Sequence, residues 1–274
     1  MNNNELAAHA LNQRRAIVEM VYQAQSGHPG GSLSATDILA TLYFDVMDVT
    51  KDNVDSIDRD RFVLSKGHAS PALYAVLAEK GFVDRDEVIN TFRQITSKFQ
   101  GHPNMNYVPG VDMSTGSLGQ GLSCAVGMAL ANKLDNNNHR VYCLVGDGES
   151  EEGMIWEAAM AAIHYKLDNL CVILDYNHLQ IDGNVDTVIG PSPLDEKFAA
   201  FGFNVIVVNG HDFDQLKHAF AQAKLTKGKP TAIIAETVKG KGVSYMENNA
   251  GWHGKAPNKE LYEVAMKDLE VIHE

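Results

Sequence analysis

The chain has 274 residues, 45% of them apolar and 21% charged, enough for one large or two modest domains around a full hydrophobic core. Its 23 basic and 35 acidic side chains leave a net charge of −12. With no basic run and no stripe mixing aromatic and basic residues, a nucleic-acid partner is not expected. The start, MNNNELAAHA, has neither the basic residues nor the apolar stretch of a signal peptide. No uncharged apolar segment reaches membrane-spanning length, so no membrane partner and a cytoplasmic location are expected. Cys124, Cys143 and Cys171 are widely spaced and read as small core hydrophobes in a reducing compartment.

No repeat or low-complexity linker marks a boundary, so residues 1–274 are expected to form a single domain. Helical periodicity covers Glu5–Ala24, with Leu6, Ile17 and Val21 among the apolar positions. Ser34 can cap a helix through Asp37–Phe44, Asp37 serving as a weak capping-box acid. Ser70–Glu79 reads as a helix with Pro71 at its start. Gly119–Leu134, rich in Gly and Ala, reads as a closely packed helix.

From there the pattern alternates. Strands are predicted at Val141–Val145, Leu170–Asp175, Asn204–Val208 and Thr231–Ala235. Helices are predicted between them at Gly153–Tyr165, Pro193–Phe201 and Phe213–Leu225. Short continuous apolar strands separated by helices are the mark of a parallel sheet covered on both faces. The order predicts a doubly wound α/β fold with helices on both faces of a mostly parallel sheet. Whether the alanine-rich WEAAMAA, residues 156–162, packs within the chain or across an interface is open.

Such folds bind ligands at the carboxyl ends of their strands. Asp147, between Gly146 and Gly148, follows one strand end; Asn177, thirty residues on, follows the next. Both are hard oxygen donors suited to Mg²⁺, which keeps few protein ligands and takes the rest from water and phosphate. A cation there would reconcile the acid with a phosphate cradled on a glycine-rich turn. Two unrelated turns are the alternative. Four histidines occupy glycine- or proline-rich contexts: His28 in GHPGG, His68 in KGH, His102 in GHPN and His253 in WHG. Imidazoles can line a site for a hydroxylated, phosphorylated ligand and move protons near neutral pH. His9, His139, His164, His211, His218 and His273 read as helical or surface residues. His178, beside Asn177, fits either role.

The stretches SGHPGGSLS, LSKGHASPALY, GHPN, STGSLGQGLSCAVGMAL, GDGESEEGMIWEA, DYNHLQIDG and GWHGKAP, in this order, resemble transketolases, specifically their N-terminal, diphosphate-binding half. The resemblance spans about residues 26–257. It implies the thiamine diphosphate-binding fold, with thiamine diphosphate and Mg²⁺ as cofactors. It implies that Asp147, Asn177 and the Leu179 carbonyl hold the metal. His28, His68, His102 and His253 fall to the substrate channel and diphosphate. Gly116, Ser117 and Leu118 fall to the aminopyrimidine region, and Ile181 to the thiazolium. Gly146, Gly148 and Glu149 fall to the diphosphate turn, and Glu152 and Glu157 to a carboxylate network at the interface between subunits. Macrodipole stabilisation alone is a competing account of Glu149 and Glu151.

The resemblance leaves no room for the family's pyrimidine-binding domain, which supplies the glutamate that activates the cofactor. A separate partner chain is therefore expected to carry it, in an α2β2 assembly of a split transketolase. The implied reaction moves a two-carbon ketol unit from a ketose phosphate to an aldose phosphate. GHPN stands where GHPE is more familiar, KGH for NGH and GHPGG for GHPGA, so the sugar is open. A sulfonated or branched sugar phosphate is one alternative. The α subunit of a 2-oxo acid dehydrogenase is another, although it does not account for the four histidines or STGSLGQGL. A deoxyxylulose phosphate synthase or a cofactor-binding regulatory module fits the motifs less well.

Overall fold

A computed structural model describes residues 1–270. Its centre is a five-stranded parallel sheet. The strands are β1 (Arg61–Leu64), β2 (Val141–Gly146), β3 (Leu170–Tyr176), β6 (Asn204–Asn209) and β7 (Thr231–Glu236), in the order β1-β2-β3-β7-β6. After β3 a two-stranded antiparallel ribbon, β4 (Leu179–Gln180) and β5 (Gly183–Asn184), folds over the sheet's carboxyl edge.

Alternate strand residues enter opposite cores, as the period of a strand requires. Phe62, Leu64, Tyr142, Leu144, Cys171, Ile173 and Ile233 belong to one core, packed with the helices Asn3–Ala24 and Ser70–Glu79. Val63, Cys143, Val145, Val172, Leu174 and Ile234 belong to the other, packed with Gln120–Leu134, Gly153–His164 and Leu194–Phe201. This is the doubly wound α/β fold expected. Ile173 is completely buried, so truncating it to alanine should cost about 2–5 kcal/mol. The cysteines are free, and Cys143 and Cys171 are fully buried. The alanine-rich helix packs inside the chain: Ala158, Ala159 and Ala162 are buried, and the Trp156 ring lies 5.3 Å from Phe198 and 5.7 Å from Phe201.

Several expectations need correction. The first helix starts at Asn3, because Asn2 and Glu5 form a reciprocal capping box. Ser34 is no cap: it ends a helix, Pro29–Ser34, that begins within GHPGG, and its hydroxyl donates to Asp175 Oδ2 at 2.6 Å. Proline fits the first helical turn, and Gly30 is needed because a Cβ there would come within 2.9 Å of the Trp252 carbonyl oxygen. The next helix, Thr36–Thr41, loosens into a π-turn over Leu42–Val46. Asp37 serves a buried ion pair with Arg14 rather than a capping box. Strand β6 is half-exposed, with only Val208 buried, because it forms the edge of the sheet. Strand β1 and the helices Arg85–Thr91 and Lys259–Asp268 were not anticipated. His273 lies outside the described residues.

Candidate active site

Strands β2 and β3 are neighbours, with Gly146 paired to Asp175. The two turns that follow them therefore leave the sheet side by side. Asp147 is 3% and Asn177 4% exposed. The Asp147 carboxylate accepts the backbone N–H of Gly148 at 2.8 Å and that of His178. Asn177 Nδ2 donates to Asp175 Oδ2 at 3.1 Å, while its Oδ1 accepts the Leu179 N–H at 3.2 Å. Among the described residues no cationic side chain pairs with Asp147 within 4.0 Å. Burial, and then the neighbouring Asp175 charge, push its pKa up to about 6. A buried carboxylate in this state fits a cation. No group of three or more His, Cys, Asp or Glu residues among those described could hold a metal alone. The donor set suits a hard ion completed by an amide oxygen, a backbone carbonyl and phosphate oxygens.

A cavity of about 130 Å³ opens here, lined by Gly31, Lys66, His68, Leu118, residues 146–149, Asn177, residues 179–181, Lys239 and His253. Its wall near His68 depends on a close approach of two loops. A Cβ at Gly67 would lie 2.6 Å from the Gly116 nitrogen, so only glycine lets these segments touch. The rings of His28, His68 and His253 face one another with centroids 5.1–5.5 Å apart. His102 stands apart from this cluster and packs on Gly116, where φ is 148° and a Cβ would meet its ring at 2.6 Å.

All four imidazoles are held below their ordinary pKa. Burial is the first cause at each. Arg93, His102 and Lys239 add to it at His28, held at about 4, and Lys239, His28 and Lys66 at His253, held at about 3. The same direction holds for His68 and, through Arg93, for His102. The sequence suggested proton-moving imidazoles near neutrality; in this arrangement they are neutral donors and acceptors at pH 7.

Other expected residues are distributed as follows. Leu118 lines the cavity, whereas Gly116 and Ser117 are not part of its lining; Ser117 is exposed, its Oγ accepting from Gln120 Nε2 at 3.0 Å. Ile181 lines the mouth although it is 64% exposed, a costly position for an isoleucine without a covering group. Glu149 is no helix-dipole residue: it is 3% exposed, and its carboxylate accepts from Ser65 Oγ and from the N–H groups of Gly119 and Gly146, both at 2.9 Å. It thus ties three loops together at the floor of the cavity. Glu151 accepts from Gln180 Nε2 at 2.7 Å. Glu152 and Glu157 are exposed.

Two lysines were missed. Lys66 is buried, pairs with Asp175 and donates to the Gly31 carbonyl at 2.7 Å. Burial pushes Asp175 up, but Lys66 together with hydrogen bonds from Ser34 and Thr237 outweighs it and holds the acid below its ordinary pKa. Lys239 Nζ donates to the Leu179 carbonyl at 2.8 Å and meets His253 Nδ1 at 3.0 Å. Burial lowers its pKa to about 8 despite the opposing charge of Asp147. Lys239 follows β7, a strand whose carboxyl end opens on the same edge, and that was the available signal. Arg93, beside His28 and His102, carried none. His211, expected on a helix or at the surface, has a side chain only 13% exposed and pairs with Asp37.

The chain is similar to known proteins. Residues 6–269 match the family described as "Transketolase, thiamine diphosphate binding domain". The chain is 46% identical over 256 residues to one of the subunits of apulose-4-phosphate transketolase from Phocaeicola vulgatus, covering 93% of this chain and 90% of that one. It is 44% identical over 257 residues to 6-deoxy-6-sulfo-D-fructose transketolase subunit SqwG of a Clostridium species, covering 94% and 93%. Among solved structures it resembles transketolase from Campylobacter jejuni with a TM-score of 0.91 and 37% identity, covering 100% of this chain and 44% of that one. It thus spans less than half the length of that protein, but nearly the whole of the two subunits.

Proposed function

The chain belongs to the transketolase thiamine diphosphate-binding family, and from that premise we propose that it is the diphosphate-binding subunit of a two-chain transketolase. The observation that carries this reading is the convergence of Asp147, Asn177 and the Leu179 carbonyl with two buried lysines and the imidazoles of His68 and His253 on one cavity, the His28 ring standing against both imidazoles. Asp147, Asn177 and Leu179 would hold Mg²⁺, and Lys66, Lys239, Gly146 and Gly148 would face the diphosphate. Bound thiamine diphosphate supplies the nucleophilic carbon and the electron sink that ketol transfer requires.

The chain's own residues bind and orient. Neutral His28, His68 and His253 present one N–H and one lone pair each, matched to sugar hydroxyls, and His102 with Arg93 extends this lining. Ile181 gives the mouth an apolar lip that excludes water from the cofactor ring. The cavity, at about 130 Å³, is smaller than the ~300 Å³ or more of a complete small-molecule site. This supports a site closed by a second subunit, which would carry the pyrimidine-binding domain and meet this chain through Glu152 and Glu157 in an α2β2 assembly. Two relatives of nearly equal length named as subunits support the same division. The three free cysteines and the lack, among described residues, of a helix long and apolar enough to cross a membrane suit work on sugar phosphates in the cytoplasm.

A second reading keeps the chemistry and changes the sugar. The relatives named for apulose 4-phosphate and for 6-deoxy-6-sulfo-D-fructose favour a branched or sulfonated donor, whereas neither relative's name supports 2-oxo acid decarboxylation. The decisive experiment is purification of the chain from its host with Mg²⁺ and thiamine diphosphate present, mass spectrometry of what stays bound, and transfer assays of the recovered complex. A stoichiometric partner and ketol transfer that neither chain performs alone support the two-chain reading. Robust turnover by this chain alone would overturn it. Plain, branched and sulfonated donors compared in that assay separate the two readings.

A further inference from the structure

Lys239 stands on a short span that is gripped from behind. The Val238 N–H donates to His211 Nε2 at 2.9 Å, and the Lys241 carbonyl accepts from Arg14 Nε at 3.1 Å. Arg14 and His211 meet on one carboxylate. Arg14 donates to both oxygens of Asp37, at 2.9 and 2.6 Å, and His211 Nδ1 lies 2.6 Å from Asp37 Oδ2. A backbone N–H can only donate, so Nε2 of His211 accepts and its proton sits on Nδ1, donated to Asp37. The ring is then a bridge of fixed polarity from a buried carboxylate to the Val238 amide. In front, Lys239 donates to the Leu179 carbonyl and touches His253, and Gly240 N–H donates to the Gly30 carbonyl at 2.9 Å.

We propose that His211, backed by Asp37, is a positioning residue for Lys239: through the Val238 amide it holds the lysine ammonium at the Leu179 edge of the cavity. The proposal rests on the reading that this edge receives thiamine diphosphate with Mg²⁺. A charge placed there strengthens diphosphate binding only if its span cannot relax away, because an ordered donor loses less freedom when the anion arrives. Neither Asp37 nor His211 lines the cavity; His211 acts through its hydrogen bond to the Val238 amide, and Asp37 by orienting that ring.

The test is a double-mutant cycle on the complex of this chain with its partner subunit, reading thiamine diphosphate affinity by calorimetry at fixed Mg²⁺. Lys239→Met should weaken binding about tenfold or more, the scale of a lost charge-assisted hydrogen bond. His211→Ala should weaken it in the same direction, and the double variant should be no weaker than Lys239→Met alone. His211→Gln, which keeps one donor and one acceptor at similar spacing, should restore affinity to within about twofold. His211→Leu, which keeps the volume, carries the same comparison should the alanine variant fail to fold. Unchanged affinity in the His211 variants, or losses that add in the double variant, overturn the proposal. Hydrogen exchange of the 236–242 segment is the readout independent of cofactor. Failure of the wild-type complex to bind thiamine diphosphate would count against the functional reading. In that case, faster exchange confined to 236–242 in His211→Ala would still support the positioning of Lys239, and unchanged exchange would overturn it.

Discussion

The Asp147 carboxylate accepts the backbone N–H of His178, so the acid after β2 is tied to the turn after β3 that carries Asn177. The expected metal donors are thereby set by main-chain geometry before any ion arrives. Asp147 is buried and its pKa is raised to about 6, first by burial and then by Asp175, so without a cation its charge is a burden on the fold. Replacing it by alanine should abolish Mg²⁺-dependent binding of thiamine diphosphate. In a melting experiment, wild-type chain with ligand at a hundred times its Kd gains about 2.7 kcal/mol, and the variant should gain nothing. An unchanged ligand-induced shift would remove Asp147 from the metal site.

His68 is half-buried with its ring facing those of His28 and His253, and it lines the cavity rather than the core. His68→Ala should lower ketol transfer by the reconstituted complex about 10²-fold or more, the lower end of what a positioned acid, base or donor contributes. The melting temperature should move little, because no hydrogen bond that orders a strand or helix passes through the ring. Full activity in that variant would take His68 out of the substrate channel.

Lys66 and Asp175 form an ion pair in which the side chains are 2% and 0% exposed. Asp175 also accepts from Ser34 at 2.6 Å and from Thr237, so it would remain buried and charged if Lys66 were lost. Lys66→Met should therefore destabilise the chain by about 3–5 kcal/mol, measured by urea unfolding. The paired change Lys66→Met with Asp175→Asn should recover a large part of that loss. A single variant as stable as wild type would contradict the burial argument.

The alternating half of the chain was legible because its strands are continuous apolar runs separated by helices, and β2, β3 and β7 are buried on both sides. Strand β1 escaped because RFVL is only four residues and takes its identity from pairing with β2, a contact across about eighty residues. The helix in GHPGG escaped because glycine is a poor helix former; it forms there because Gly30 must lie against the Trp252 carbonyl. The histidines and the Asp147–Asn177 pair were visible through turn residues at strand ends. The pairing of Asp37 with His211, separated by 174 residues, leaves no local pattern, and neither does the bonding of Glu149 to three separate loops.

The depressed histidines make the pH dependence of the ligand-free chain predictable in sign. His28 has a folded pKa of about 4 against an ordinary 6.5, lowered first by burial and then by Arg93, His102 and Lys239. Between these values the unfolded chain binds a proton that the folded chain refuses. The neutral ring's contribution to stability is thus present above pH 6.5 and lost as pH falls through about 4. Asp147 works the other way: its raised pKa contributes stability at low pH that is lost as pH rises through about 6. Comparing wild type with His28→Asn cancels the Asp147 contribution, which both proteins share. Asparagine also suits this position, the N-cap of the helix Pro29–Ser34, and its capping contribution does not titrate. Urea unfolding at pH 7, 6, 5 and 4 in the presence of a chelator should show wild type losing stability relative to His28→Asn at each step down. A pH-independent difference between the two proteins would mean that His28 is not buried neutral among these cations, and the account of a neutral imidazole lining would fall with it.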